Sequence, residues 1–336
     1  MQIKRSKRRN DMNKIEFGDC RETMRRWAAD GVKVQTCVTS PPYFGLRDYG
    51  HDGQIGLEQT PNEYITVMVE VFRCVKDVLA DDGTLWLNIG DSYAGSGKGR
   101  NADGSHKEGG KQGTNKGAIA GALIKTEAPN CKPKDLIGIP WMLAFALRAD
   151  GWYLRQDIIW HKPNPMPESV RDRCTKAHEY IFLLSKSERY FFDSEAIKEP
   201  ATGRDPGNKA HKYVDAYNVG DSEKHRTKGG LLNVGPSETR NRRSVWSVAT
   251  SPYKGAHFAT FPPALIEPCI LAGSRPSDIV LDPFMGSGTT AAVALQHGRQ
   301  YLGCELNPEY GQLQQDRIAK TVKKEELDSR QVGLFA

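Results

Sequence analysis

Ile279-Val280-Leu281 runs straight into Asp282-Pro283-Phe284-Met285-Gly286-Ser287-Gly288, and Thr289-Thr290 then opens an alanine-rich stretch that continues to His297. An apolar run, a tight glycine turn and a helix start in so short a span admit few architectures. A strand that feeds a helix returns to its sheet through a crossover, so its partner strand is parallel. The turn sets backbone N–H groups and a helix N-terminus against a ligand. Gly286 and Gly288 remove side chains where the backbone must come close. The spacing is not the G-x-G-x-x-G of dinucleotide enzymes, because Thr289 and Thr290 open the helix directly. Glu305, 23 residues past Asp282, ends the next apolar run. A carboxylate there can take both hydroxyls of a ribose.

The same strand and helix rhythm continues through the chain. Val32 to Val38 reads as a buried strand that ends at Thr39-Ser40-Pro41-Pro42-Tyr43. Thr60-Pro61-Asn62-Glu63 announces a helix: Thr60 caps, Pro61 suits the first turn and Glu63 completes a capping box. Tyr64, Val67, Met68, Val71, Phe72, Val75, Val78 and Leu79 then give one apolar stripe at helical spacing. Thr84–Ile89 is the next strand, 139–147 a helix, and 154–160, 180–184 and 190–192 are strands. Pro263–Leu271 and Thr289–His297 are helices, while Ile279–Leu281 and Tyr301–Cys304 are strands. The alternation predicts an α/β fold, a mostly parallel sheet with helices on both faces.

Thr39–Tyr43 and Leu281–Thr290, taken together, resemble the catalytic and S-adenosylmethionine-binding motifs of the amino-group DNA methyltransferases. The catalytic motif stands first and the cofactor motif last, which is the order of that family's β group. The resemblance covers roughly residues 14–92, 132–195 and 244–318, including Gly83–Asp91, Trp160–Pro167 and His178–Phe182. It implies a Rossmann-like methyltransferase fold with a mostly parallel seven-stranded sheet, circularly permuted motif order and irregular DNA-recognition insertions. It implies S-adenosylmethionine as cofactor, with Asp282, Phe284, Gly286, Ser287, Gly288 and Thr289 around its methionine part and Glu305 on its ribose. Phe261 and Pro262 match the family segment that closes over the methionine end. Asp19 and Cys20, after the strand-like Ile15-Glu16-Phe17, match the segment that lines the adenine pocket.

The resemblance makes Ser40, Pro41, Pro42 and Tyr43 the catalytic corner. A base's exocyclic amine is a poor nucleophile because its lone pair is delocalised into the ring. The Ser40 hydroxyl and Pro41 carbonyl can accept from the amine N–H groups, Pro42 stiffens the corner, and the Tyr43 ring can stack on an extruded base. Positioning is then the main catalytic device. Serine before the two prolines is typical of the family's cytosine-N4 enzymes and favours that base. Adenine N6 is the alternative, and an RNA methyltransferase a more distant one. Asn164 and His178 are candidate base-edge or phosphate contacts, or else polar groups that fix loops.

Two stretches break the rhythm. Tyr93–Gly121 is rich in glycine, lysine and asparagine, and Ala201–Arg243 holds nine lysines and arginines against five acids. They read either as solvated loops or as arms whose cations contact DNA phosphates. The expected organisation is a basic tail over 1–13, a catalytic half over 14–92 and a flexible insertion over 93–131. The rest of the catalytic half follows over 132–200, a target-recognition insertion over 201–245, the cofactor half over 246–318 and a charged tail over 319–336.

Other signals are decoys. Pro268-Cys269 falls inside an apolar helix pattern and is expected to be structural rather than a nucleophile. Gly95–Gly99 has no Ser or Thr after Lys98 and is no P-loop, and Thr250–Tyr253 repeats the corner without its second proline. None of the seven cysteines makes a C-x-x-C pair, so neither a metal site nor a disulfide framework is expected. No apolar run reaches the roughly 20 residues of a membrane span, and the basic N-terminus lacks the apolar core of a secretory signal. A cytoplasmic, nucleoid-associated protein without a membrane partner is expected. DNA is the expected partner and a homodimer a candidate assembly. Gln331–Phe335 resembles the peptide by which bacterial proteins dock on the replication sliding clamp.

Overall fold

The computed structural model describes residues 12–46, 50–94, 130–201, 238–250 and 261–333. The larger of its two units comprises Met1–Phe192 with Ser244–Ala336; the smaller is Asp193–Arg243. Along the larger unit run β1 (Lys14–Phe17), α1 (Cys20–Ala29), β2 (Val34–Thr39), α2 (Pro61–Val78) and β3 (Leu79–Ile89). Then come α3 (Ile139–Ala149), β4 (Tyr153–His161) and β5 (His178–Ser185). In the smaller unit β6 (Glu199–Pro200) pairs antiparallel with β7 (Thr239–Arg240), and Glu199 accepts from both Arg240 and Arg243. The larger unit resumes with β8 (Val245–Ser247), α4 (Pro263–Gly273), β9 (Ile279–Asp282), α5 (Thr289–Gln296), β10 (Gln300–Glu305) and α6 (Gly311–Gly333).

The helix announced by Thr60 forms as its sequence dictates. Thr60 Oγ1 accepts from the Glu63 amide at 3.2 Å, and Glu63 Oε2 accepts from the Thr60 amide at 3.1 Å. Tyr64, Met68, Val71, Phe72, Val75 and Val78 are all fully buried. Asp91 caps α3 from another segment, its Oδ1 accepting from the amides of Gly138 and Ile139, each at 3.0 Å. A carboxylate at a helix N-terminus offsets the partial positive charge there.

Eight strands form the sheet, in the order β1-β10-β9-β2-β3-β5-β4-β8. Pairings are parallel except β3 with β5 and β5 with β4. Alternation along β3 gives the sheet two apolar faces. Leu85, Leu87 and Ile89 enter the core shared with α1, α2 and α3. Trp86 points the other way, where a Cβ on Gly273 of α4 would stand 2.9 Å from its indole nitrogen. From the central β9–β2 pair the chain steps one way through α5 to β10 and the other way through α2 to β3. That divergence is the switch point at which open α/β sheets open a crevice beyond the strand ends.

The sheet has eight strands where seven were expected, because Val245-Trp246-Ser247 adds a short parallel strand to β4. Leu79, expected at the end of the helical stripe, caps α2 in extended conformation and starts β3. Tyr190–Phe192 is not a strand. Its backbone is held at Phe191, whose amide donates to the Asp82 carbonyl at 2.8 Å, and Phe192 stacks on Trp86. Met1–Asp11, Gly95–Gly99, Ser251–Tyr253 and Leu334–Phe335 lie outside the described residues, as do most of both insertions. Among the described residues no helix is long and apolar enough to cross a membrane.

Candidate active site

The loops that follow β1, β10, β9, β2 and β3 all leave the sheet at one edge. Register fixes this: Phe17 lies opposite Glu305, Asp282 opposite Gly303, and Thr39 opposite Leu87. The antiparallel β5 starts at the same edge, at His178, opposite His161 where β4 ends.

At the β9 end, Asp282 is 1% exposed and its oxygens are taken by the chain. Oδ1 accepts from Thr39 Oγ1 at 2.6 Å and from the Phe284 amide at 3.0 Å, and Oδ2 from Thr290 Oγ1 at 2.7 Å. Burial pushes its carboxyl up to about 6, even though those three donors favour the charged form. Gly288 adopts φ +81° as it hands the turn to α5, a left-handed conformation that suits glycine. The loop is further held by the Met285 amide on the Cys304 carbonyl at 2.9 Å and by Gln314 Nε2 on the Gly286 carbonyl at 2.7 Å. Glu305, at the end of β10, accepts from the amides of Gly286 at 2.7 Å and Asn307 at 2.9 Å. Burial raises its carboxyl above the usual range. Ser287 and Thr289 are buried beside it, and the Ser287 hydroxyl has no hydrogen-bond partner among the described residues. Phe284 is half-buried.

The β1 loop joins this group through the Gly18 amide, which donates to the Glu305 carbonyl at 2.8 Å. Asp19 caps α1 by accepting from the Arg21 amide at 2.8 Å. The Arg21 guanidinium, 2.6 Å from its Oδ2, holds the Asp19 carboxyl below its ordinary range. Cys20 is buried, and burial pushes its thiol up to about 12, so it is an apolar wall rather than a nucleophile. Pro262 is buried and Phe261 half-buried at the foot of α4.

At the β2 end, Pro41 is buried while Ser40, Pro42 and Tyr43 are half-buried. The Tyr64 phenol of α2 donates to the Pro42 carbonyl at 2.9 Å, so the corner rests on a helix. The Tyr43 phenol donates to Glu179 Oε2 at 2.8 Å. Burial lifts that phenol well above its ordinary range, the Glu179 charge adds to the shift, and a hydrogen bond from Ser40 partly offsets it. Gly90 comes so close that a Cβ there would stand 2.6 Å from the edge of the Tyr43 ring. Glu179 is also bound by Lys162 and, at 3.3 Å, by Asn88 Nδ2.

These contacts bring the two ends of the sequence together: Thr39 and Asp282 are 243 positions apart and 2.6 Å in contact. The chain matches the DNA methylase family over residues 34–316. It belongs to the amino DNA methyltransferases.

The enzyme is 48% identical over 307 residues to the Type II methyltransferase M.SmaI of Serratia marcescens, covering 91% of each chain. Among solved structures it resembles the PvuII DNA methyltransferase (cytosine-N4-specific), with a TM-score of 0.57 and 18% identity over 91% of this chain and 86% of that one. TTHA0409 from Thermus thermophilus, solved with S-adenosyl-L-methionine, gives a TM-score of 0.53 and 21% identity over 92% and 94% of the two chains. The likeness of these two structures is one of fold. The chain is an S-adenosylmethionine-dependent DNA methyltransferase.

Of the residues singled out in the sequence, the cofactor loop, Glu305, Gly18 with Asp19, and the Ser40–Tyr43 corner meet at one edge. Asp282 faces inward onto Thr39 and Thr290. Asn164 fixes a loop, with both ends of its amide on the backbone of Thr250 at 2.9 and 3.2 Å. His178 packs edge-on against Tyr180, and burial lowers its imidazole below the ordinary range. Cys269 is buried in α4, its thiol 3.7 Å from the Leu265 carbonyl, which is a structural place. Sequence reasoning missed Glu179, Lys162 and Asn88. Their segments were matched as strands, and nothing in a strand pattern says that one carboxylate reaches a tyrosine 136 positions away.

Proposed function

We propose that this methyltransferase modifies the exocyclic N4 amine of a cytosine in DNA, within a specific sequence, as a Type II modification enzyme. The observation that carries the reading is the buried Thr39–Asp282 hydrogen bond, 2.6 Å long. It couples the corner that would hold an amine directly to the loop that would hold the methyl donor.

The residues fit S-adenosylmethionine. Glu305 keeps lone pairs for ribose hydroxyls beyond those taken by the backbone amides around it. Among the described residues Ser287 has a buried hydroxyl without a partner, and Gly286 leaves the loop backbone open to a ligand, while Gly288 makes room for Gln314. Asp19 and Cys20 line the adenine end, with Phe284, Thr289, Phe261 and Pro262 toward the methionine end. When bound, S-adenosylmethionine supplies a methyl group activated by its positively charged sulfur. The chain's own task is to present the amine. Ser40 Oγ and the Pro41 carbonyl accept from its two N–H groups, drawing the nitrogen lone pair out of conjugation. Pro41 and Pro42 fix the backbone that carries these acceptors. Tyr43 presents its ring to a base taken out of the helix. Asp282 does not touch the cofactor in this scheme; it aligns corner with loop. Cytosine N4 is preferred over adenine N6 because the corner begins with Ser40.

The test is incubation with unmethylated DNA and isotope-labelled S-adenosylmethionine, followed by digestion to nucleosides. Labelled N4-methylcytosine is the expected product, N6-methyladenine replaces the choice of base, and no labelled nucleoside overturns the reading. Docking of the Gln331–Phe335 tail on a sliding clamp rests on its sequence resemblance, and clamp binding that survives deletion of 331–336 would end that idea.

A further inference from the structure

The cluster beside the corner has a composition that stability does not explain. Lys162 just after β4, Asn88 in β3 and Tyr43 after β2 converge on the carboxylate of Glu179 in β5. Glu179 Oε2 accepts from the Tyr43 phenol at 2.8 Å and from Asn88 Nδ2 at 3.3 Å, while Oε1 pairs with Lys162. The side chains of Lys162 and Glu179 are only 18% and 17% exposed. Asn88 also donates to the Tyr180 carbonyl at 3.1 Å, so its amide is locked in place. The Lys162 ammonium lies 4.3 Å over the Trp160 ring. A half-buried ion pair loses hydration that its attraction barely repays, and apolar residues of similar size would hold these strands as well. What the pair supplies is direction: a carboxylate fixed from three sides takes the Tyr43 phenol at 2.8 Å, with Asn88 Oδ1 a longer second acceptor at 3.4 Å.

We infer that Glu179 and Lys162 are positioning residues, an anchor that holds the Tyr43 ring at the angle and height at which it meets the target base. The inference rests on the reading of Ser40–Tyr43 as the catalytic corner. A tyrosine on a loop could swing about its side-chain bonds. Here the phenol is tied to Glu179 while Gly90 meets the ring edge, so neither end is free to move. Lys162 holds Glu179 in place through their ion pair, and Asn88 stops the carboxylate from rotating. Neither Glu179 nor Lys162 needs to touch substrate.

The test uses the full chain on unmethylated plasmid DNA, measuring turnover at saturating substrates and cofactor affinity by calorimetry. The double variant Lys162→Met with Glu179→Leu removes the ion pair without stranding a charge, so it keeps the fold where Glu179→Leu alone would leave Lys162 unpaired. Its turnover is expected to fall on the order of tenfold to a hundredfold, the worth of one charge-assisted hydrogen bond, with the cofactor Kd within about twofold. Tyr43→Phe should show the same loss, and adding it to the double variant should cost nothing more. Wild-type turnover in the double variant would overturn the anchor, as would losses that multiply when Tyr43→Phe is added. If instead Ser40→Ala and Tyr43→Ala both keep wild-type turnover, the corner itself is misread and the anchor falls with it.

Discussion

Replacing Asp282 with Asn probes the joint between the two halves of the site, and the structure sets both the size and the sign of its effect. The carboxyl titrates near 6 in the folded protein against 3.8 when free. That gap of about two units corresponds to roughly 3 kcal/mol of native stability. The folded value is raised, so the contribution is fully present below about pH 4 and lost as the pH rises through 6. Between pH 5 and pH 7 the loss comes to roughly 1 kcal/mol. An asparagine does not titrate. It still accepts from Thr39 and Phe284 through its oxygen, and only its contact with the Thr290 hydroxyl must reorganise. Urea unfolding of both proteins at several pH values measures the outcome. The stability of Asp282→Asn relative to wild type should improve by roughly 1 kcal/mol from pH 5 to pH 7. A difference that stays flat over that range would refute the account of Asp282 as a buried, strained carboxylate held by the chain. So would a difference that moves the other way.

Three further outcomes follow from the geometry. Ser287→Ala should leave Tm unchanged or slightly raised without cofactor, because an unpartnered buried hydroxyl costs about 1–3 kcal/mol; in calorimetry the same variant should bind S-adenosylmethionine more weakly. Gly90→Ala puts a methyl 2.6 Å from the Tyr43 ring, so its turnover should fall at least about tenfold through lost positioning while cofactor Kd holds. Thr60→Ala breaks the capping box and should lower stability by about 1 kcal/mol in denaturant titration, with turnover at saturating substrates unaffected.

Local signals in the sequence translated well into structure where a few neighbouring residues decide the outcome. The Thr60–Glu63 box needs only four adjacent residues, and it forms. The β9 run, its glycine turn and α5 likewise depend on short-range pattern. Signals failed where the deciding contact is remote. Tyr190-Phe191-Phe192 has strand composition, but its aromatic rings are claimed by Trp86 and Arg275, and among the described residues its backbone is held through the Phe191 amide on the Asp82 carbonyl. Val245–Ser247 is too short to carry a periodicity, and it becomes a strand because β4 offers a free edge. The site shows the same division. The glycine loop and Glu305 could be named from spacing, whereas the inward turn of Asp282 depends on Thr39, which only the folding of β2 against β9 brings near.

Ala94, which follows β3, is bound to Lys134 and Asp135, which precede α3. The Ala94 amide donates to the Asp135 carbonyl at 2.9 Å, and the Lys134 amide returns the bond to the Ala94 carbonyl at 2.9 Å. Asp91, just before, holds the start of α3. The joint is thus a clasp, and whatever chain it closes can lengthen or change without moving a strand. For any chain joined at such a clasp, doubling its length costs only about 0.6 kcal/mol more. One catalytic sheet can therefore carry inserts of many lengths and charges at this point, so that what the enzyme contacts can diversify while the geometry of transfer stays fixed.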